Sequence, residues 1–407
     1  MFCNGGTFIE NRFRGMKELG IYVHIPFCVR KCAYCDFLSF EGKSDKQGPY
    51  IGALNREVDI ILEKYGISSD TGYEVVSIYF GGGTPTSIKE SYICDLLCKL
   101  KKVFPMSENP EITLEANPGT LSMEKLIAYK EAGFNRLSLG LQSADNAELN
   151  FMSRIHTFEE FKENFLTAYE VGFRNINVDI MSALPYQSEY NINKTLDELF
   201  ELSIRPTHIS AYSLIVEPGT EFYEKFGERN EDGKYTGPMG SAMPTEEQER
   251  AMYYLIRNRL MAEGYMQYEI SNFAYPGYES LHNSGYWSRR DYIGLGLGAS
   301  SCLNNVRYKN ESDLEKYIEN PRIIDEEIKL DEKAQMEEFM FLGLRRMEGV
   351  STYEFTTTFN KSMESVYDAQ LKKLIAEGLM VYDGGRYMLT EMGVDYGNYC
   401  FSAFVMV

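Results

Sequence analysis

GIYVHIPFCVRKCAYCDF, residues 20–37, runs from an apolar, β-branched stretch into three cysteines spaced C-x3-C-x2-C. The apolar part reads as a strand, so Cys28, Cys32 and Cys35 converge on one loop directly after it. The chain has 8 cysteines and no secretory pattern at MFCNGGTFIENRFRGMKELG. In that setting a tight cluster reads as a metal or redox site rather than a disulfide frame. Cys3, Cys94, Cys98, Cys302 and Cys400 are scattered and read as ordinary thiols.

Cubane iron–sulfur clusters normally take four thiolates, so three on one loop with no obvious fourth leave one iron open. An open iron can chelate the amino and carboxylate groups of S-adenosylmethionine and pass an electron to its sulfonium. A structural zinc site, with His24 as the fourth ligand, is the alternative reading of the same residues.

Working outward, the next strand-like run ends at Phe80 and is followed at once by Gly81-Gly82-Gly83-Thr84-Pro85. A glycine run lets the backbone approach a ligand, and the carbonyls of Gly82, Gly83 and their neighbours suit the amine hydrogens of a methionyl group. Later strand ends supply Glu115, Gln142 and Asp179, with Arg154 on the connection after Gln142. Singly, each reads as a surface or salt-bridged residue. Together they point at one cleft beyond the C-terminal ends of parallel strands. There, carboxylates accept hydrogen bonds from ribose hydroxyls, while Gln and Arg fix adenosyl and carboxylate groups. Tyr22, two residues ahead of His24, is expected to pack on the cofactor.

The strand-like runs are GIYVHIP at 20–26, EVVSIYF at 74–80, EITLEANP at 111–118, RLSLGLQS at 136–143, NINVDIM at 175–181 and HISAYSL at 208–214. Helical spacing lies between them, as in Ile51, Leu54, Val58, Ile61, Leu62 and Tyr65. Strands alternating with helices predict an α/β fold: a partial (βα)6 barrel over residues 19–240. Residues 1–18 read as an N-terminal extension, the fold starting near Met16. Residues 241–330 read as a connecting region dense in Gly, Tyr and Ser and not as core barrel. Residues 331–407 read as a smaller winged-helix-like domain, with a hairpin LMVYDGGRYMLT turning at Asp383-Gly384-Gly385.

The formal charge of −19, from 41 Lys and Arg against 60 Asp and Glu, argues against nucleic acid as a partner. No run of about 18 uncharged apolar residues occurs, so no transmembrane segment is predicted and a cytoplasmic setting is expected.

CVRKCAYC resembles the radical-SAM signature, and GGGTP one βα unit later resembles the methionyl-binding motif of the same superfamily. The ordered set YVHIPFC, CAYCDF, GGGTP, LEANPGT, LGLQS and NVDIM resembles the oxygen-independent coproporphyrinogen III oxidases and their HemW-type haem-chaperone relatives, from Leu19 onward. The resemblance implies a [4Fe–4S] cluster on Cys28, Cys32 and Cys35. It also implies S-adenosylmethionine contacts from Tyr22, Gly82, Gly83, Thr84, Glu115, Gln142, Arg154 and Asp179.

Two features separate the branches. The oxidases carry a further Cys two residues after the third ligand, where this chain has Phe37. His282-Asn283-Ser284-Gly285-Tyr286-Trp287 matches the HNxxYW motif of the chaperone branch and holds the only Trp. A neutral imidazole is a good axial ligand for haem iron, and His282 is the expected one. The chaperone reading implies haem as bound cargo, an acceptor protein to receive it and a low-potential electron donor for the cluster. Oxidative decarboxylation of coproporphyrinogen III is the alternative.

Overall fold

The computed structural model describes residues 15–67, 72–322 and 324–405. Most of the extension expected over residues 1–18 lies outside them, and Lys17 and Glu18 already belong to the first strand.

Among the described residues one sheet holds twelve strands. In chain order these are β1 (Lys17–Ile25), β2 (Tyr73–Gly82), β3 (Met106–Ala116), β4 (Arg136–Gln142), β5 (Asn175–Ser182) and β6 (His208–Ser213). They continue with β7 (Met266–Glu269), β8 (Asn272–Ala274), β9 (Asp291–Leu295), β10 (Ser300–Leu303), β11 (Val306–Asn310) and β12 (Ile324–Lys329). The spatial order is β12-β11-β10-β9-β1-β2-β3-β4-β5-β6-β8-β7, and the two edges do not pair. The result is a partial barrel rather than a closed one.

The six strands read from the sequence pair in parallel from β1 to β6, as βα units require. Helices α1 (Gln47–Tyr65), α2 (Glu90–Val103), α3 (Met123–Ala132), α4 (Phe158–Val171), α5 (Glu189–Phe200) and α6 (Glu246–Ala262) cover the outside. Thr157 and Thr245 close capping boxes at the starts of α4 and α6, each worth about 1 kcal/mol. Leu19, Ile21, Val23 and Ile25 of β1, with Ile93, Leu96 and Leu100 of α2, are buried in one continuous core. Removing a side chain such as Phe80 from it costs roughly 3–5 kcal/mol.

The expectation that residues 241–330 lie outside the barrel is corrected by β9. It pairs in parallel with β1, Gly20 facing Tyr292 and Tyr22 facing Gly294, and buries Ile293 and Leu295 in the main core. Its five residues include a glycine and sit among turn-rich sequence, which hides the period-two pattern. β10 to β12 extend this edge antiparallel.

A second core forms from Met336 to Phe404. After α7 (Leu281–Trp287), it packs α8 (Glu332–Gly343), α9 (Thr352–Phe359) and α10 (Met363–Ala376) on a sheet of Val350–Ser351, Arg386–Leu389 and Met380–Asp383, the winged-helix-like arrangement. Glu338 of α8 ties it to the barrel edge through Arg289 at 3.2 Å and Arg307 at 2.7 Å. Among the described residues no helix is long and apolar enough to cross a membrane.

Candidate functional site

Each strand from β2 to β6 places polar residues at every second position on its inner face: Ser77 and Tyr79, Glu111, Thr113 and Glu115, Arg136 and Ser138, Asn177 and Asp179, His208 and Ser210. Of these, Tyr79, Glu115, Arg136, Ser138, Asn177, Asp179 and Ser210 join the cysteine loop around a cavity of about 1530 Å³, including the part open to solvent. Cys28, Cys32 and Cys35 line it, as do Gly82, Gly83 and Thr84. Glu115, Gln142, Arg154 and Asp179 complete its polar wall.

The cysteine loop is pinned to the glycine run. Gly83 N–H donates to Ile25 O at 2.9 Å and Thr84 N–H to Phe27 O at 2.8 Å. The Thr84 hydroxyl reaches Cys28 Sγ at 3.6 Å. Gly82 has φ 106, and a β-carbon there would overlap the His24 ring, so only glycine permits this approach. Burial pushes the Cys28 thiol up and the Cys35 thiol to about 11, so both are protonated without a metal. A coordinating metal ion would deprotonate them.

His24 does not face the thiols. Its Nε2 meets Leu38 O at 2.8 Å and its Nδ1 the Tyr22 hydroxyl at 3.0 Å. Both ring nitrogens are used, which leaves a Cys3His zinc site without its fourth ligand. Among the described residues no three metal-ligating side chains close on a single ion. A cubane asks for a different geometry, one iron for each thiolate.

Arg154 links the loop to the strand ends. Its Nη2 donates to Gly140 O at 2.6 Å and Asn117 Oδ1 at 2.9 Å, and its Nη1 points to Cys32 Sγ at 3.5 Å. Glu115 accepts from the Tyr79 hydroxyl at 2.6 Å and from Gly82 N–H at 3.1 Å, and burial pushes its carboxyl up to about 7. Asp179, raised by burial, accepts from Asn177 at 2.8 Å. Gln142 closes β4 in the left-handed region at φ 73, where the β4–β5 register breaks, a strain of order 1 kcal/mol held at the cavity wall.

Two expected site residues lie elsewhere. Tyr22 stands one ring behind the wall, stacked on Tyr79 with centroids 6.3 Å apart, and Tyr79 is the tyrosine that lines the cavity. His282 sits on helix α7. It is 3% exposed, beneath the cavity floor. Its Nδ1 meets Ser77 Oγ at 3.0 Å, its Nε2 meets the Tyr286 hydroxyl at 3.0 Å, and its ring stacks on Tyr79 at 5.1 Å. Burial, then the positive charges of Arg290 and Arg136, push its pKa down to about 3. Its neighbour Asn283 does line the cavity.

Tyr79, Asn117, Arg136 and Asn283 also line the cavity, although the sequence reading gave none of them a site role, Asn117 lying in LEANPGT and Asn283 in HNSGYW. The signal that finds three of them is the period-two polarity of β2, β3 and β4, which runs through Tyr79, through Glu115 to Asn117 and from Arg136 to Ser138.

The fold and this cavity define a radical-SAM protein. Residues 22–199 match the family model of the Radical SAM superfamily, and residues 330–396 match that of the HemN C-terminal domain. The structure aligns with Escherichia coli coproporphyrinogen III oxidase (HemN), described as a radical SAM enzyme, at a TM-score of 0.81. That alignment covers 96% of this chain and 91% of that one at 22% identity, a likeness of fold. The chain belongs to the HemW family of radical-SAM proteins. It is 37% identical to the heme chaperone HemW of Bacillus subtilis over 94% of this chain and 98% of that one. With the heme chaperone HemW of Lactococcus lactis it shares 34% identity, over 96% and 98% of the two chains. With that of Escherichia coli it shares 31%, over 93% and 96%.

Proposed function

We propose that this protein is a haem carrier that holds a [4Fe–4S] cluster on Cys28, Cys32 and Cys35 and S-adenosylmethionine in the strand-end cavity. The observation that carries this reading is the meeting of three thiols, a glycine run and the Glu115, Gln142, Arg154 and Asp179 side chains in one cavity. When bound, the cluster supplies a low-potential electron and the open iron. The protein's own part is to hold and shield. Arg154 braces the loop at Cys32, Glu115 and Asp179 offer acceptors to ribose hydroxyls and favour a sulfonium, and the Gly82–Thr84 backbone takes the methionyl group.

Haem taken up here passes to an acceptor protein, and reduction of the cluster calls for a low-potential donor in a cytoplasmic setting. His282 is the candidate axial ligand. To coordinate iron, one of its ring nitrogens must give up its present partner, Tyr286 at Nε2 or Ser77 at Nδ1. Haem binding through His282 therefore involves movement of α7.

Phe37 supports the carrier reading over coproporphyrinogen oxidation. It is 63% exposed at the cavity rim, where the oxidases have a further Cys. The test is anaerobic reconstitution followed by iron and sulfide analysis, haem titration and a porphyrinogen turnover assay. Four irons per chain, saturable haem binding and no decarboxylation are expected. Steady decarboxylation, or zinc in place of iron, would overturn the proposal.

A further inference from the structure

Arg136 enters the barrel from the start of β4 and is 1% exposed, yet it lines the cavity. Its Nε has no hydrogen-bond partner, and the nearest carboxylate atom, Glu111 Oε2, is 3.9 Å away. Each acidic group around it is engaged with other donors. Glu111 accepts from the Leu281 and His282 N–H groups at 3.0 Å, Glu115 from Tyr79 and Gly82, and Asp179 from Asn177. A buried guanidinium whose Nε lacks an acceptor is costly unless one arrives from the cavity. Its planar fork matches a carboxylate. Asn283 brings a carboxamide to the same cavity, its backbone N–H being taken by Ser280 Oγ.

The cavity mouth has the opposite character. Phe37, Tyr212 and Ile215 line it and are 63%, 39% and 69% exposed, an apolar lip above a polar floor that contains Arg136. We infer that Arg136 and Asn283 form a carboxylate subsite that receives a propionate of the tetrapyrrole, whose macrocycle rests against Phe37, Tyr212 and Ile215. This rests on the haem-carrier reading but not on His282: a macrocycle at the lip stands away from the ring beneath the floor, so this mode of binding is distinct from axial ligation by His282, and it places the cargo's acidic edge in the same cavity as the cofactor.

The test compares haem with its dimethyl ester, titrated into the reconstituted full-length protein. Haem is expected to bind at least tenfold more tightly than the ester, and Arg136→Gln to remove most of that preference. Asn283→Ala, a smaller change at the cavity wall, is expected to lower the preference at least threefold, and it serves alone if Arg136→Gln does not fold. Equal affinities for the two ligands in the unaltered protein overturn the subsite. So does a preference that survives in folded Arg136→Gln, or one unchanged in Asn283→Ala, since either moves propionate recognition to another cation such as Arg30 at the rim. Binding of neither ligand overturns the haem-carrier reading itself, and the subsite with it.

Discussion

The strand-end cavity and the HNSGYW helix are both conspicuous in the sequence, and their side chains end in opposite circumstances. In the cavity, Arg136 keeps a donor without a partner, and burial raises Cys35 and Glu115 far from their ordinary pKa values. In α7, His282 has both nitrogens bonded and its ring stacked, and Arg345 lies 4.4 Å over the Trp287 ring. The first region has capacity left for a ligand. The second is closed at His282, which holds the barrel interior to the Met336–Phe404 core, although the buried Trp287 Nε1 beside Arg345 still lacks an acceptor. A motif thus marks where chemistry is concentrated, but unmet hydrogen-bonding and charge decide which motif is open.

The largest effect that would break this contrast is on the cluster. Changing Cys28, Cys32 and Cys35 together to Ala should abolish iron and sulfide incorporation after anaerobic reconstitution. Retained iron would show that the cavity's thiols are not its ligands.

Next in size is His282→Ala. It strips partners from Ser77 and Tyr286 and opens a void against Tyr79, so urea unfolding should show a loss of about 2–4 kcal/mol. Its acid dependence gives a sharper reading. The folded ring titrates near about 3 and the unfolded ring near 6.5, so the folded state refuses a proton that the unfolded state binds. Its stability contribution is present above pH 6.5 and is lost as pH falls toward about 3. His282→Gln should flatten that part of the pH–stability curve. A curve identical to that of the unaltered protein would mean the ring is not held neutral beneath the floor. His24, His156 and His208 are shifted the same way and add slope of the same sign, while Glu57 and Glu115, raised to about 7, add slope of the opposite sign.

A smaller change is expected of Arg154→Ala. Equilibrium dialysis should show S-adenosylmethionine affinity reduced roughly tenfold, the worth of one charge-assisted hydrogen bond. Iron content should be kept, and loss of iron instead would make Arg154 a support of the Cys32 loop alone. The least effect belongs to Phe37→Ser, which should alter stability by no more than about 0.5 kcal/mol because the side chain is exposed at the rim. Phe37→Cys should yield no porphyrinogen turnover, and turnover would show that this one position separates carrier from oxidase.

Much of the architecture was legible before any coordinates. Six strands could be read to within a few residues, because their β-branched and apolar runs pack under helices that carry their own periodicity. The cysteine spacing and the glycine run marked the cavity, since both are local along the chain. β9 escaped, because a strand of five residues with a glycine takes its identity from pairing with β1, a contact between residues far apart in the chain. Arg136 escaped for a related reason: at the start of a strand it looks like a surface cation, and only the curling of the sheet places it inside. The sequence alone determined which side chains are present and how they repeat along each strand. Tertiary structure decided which of them are satisfied, because hydrogen-bond partners such as Ser77 for His282 come from strands that the chain brings together only on folding.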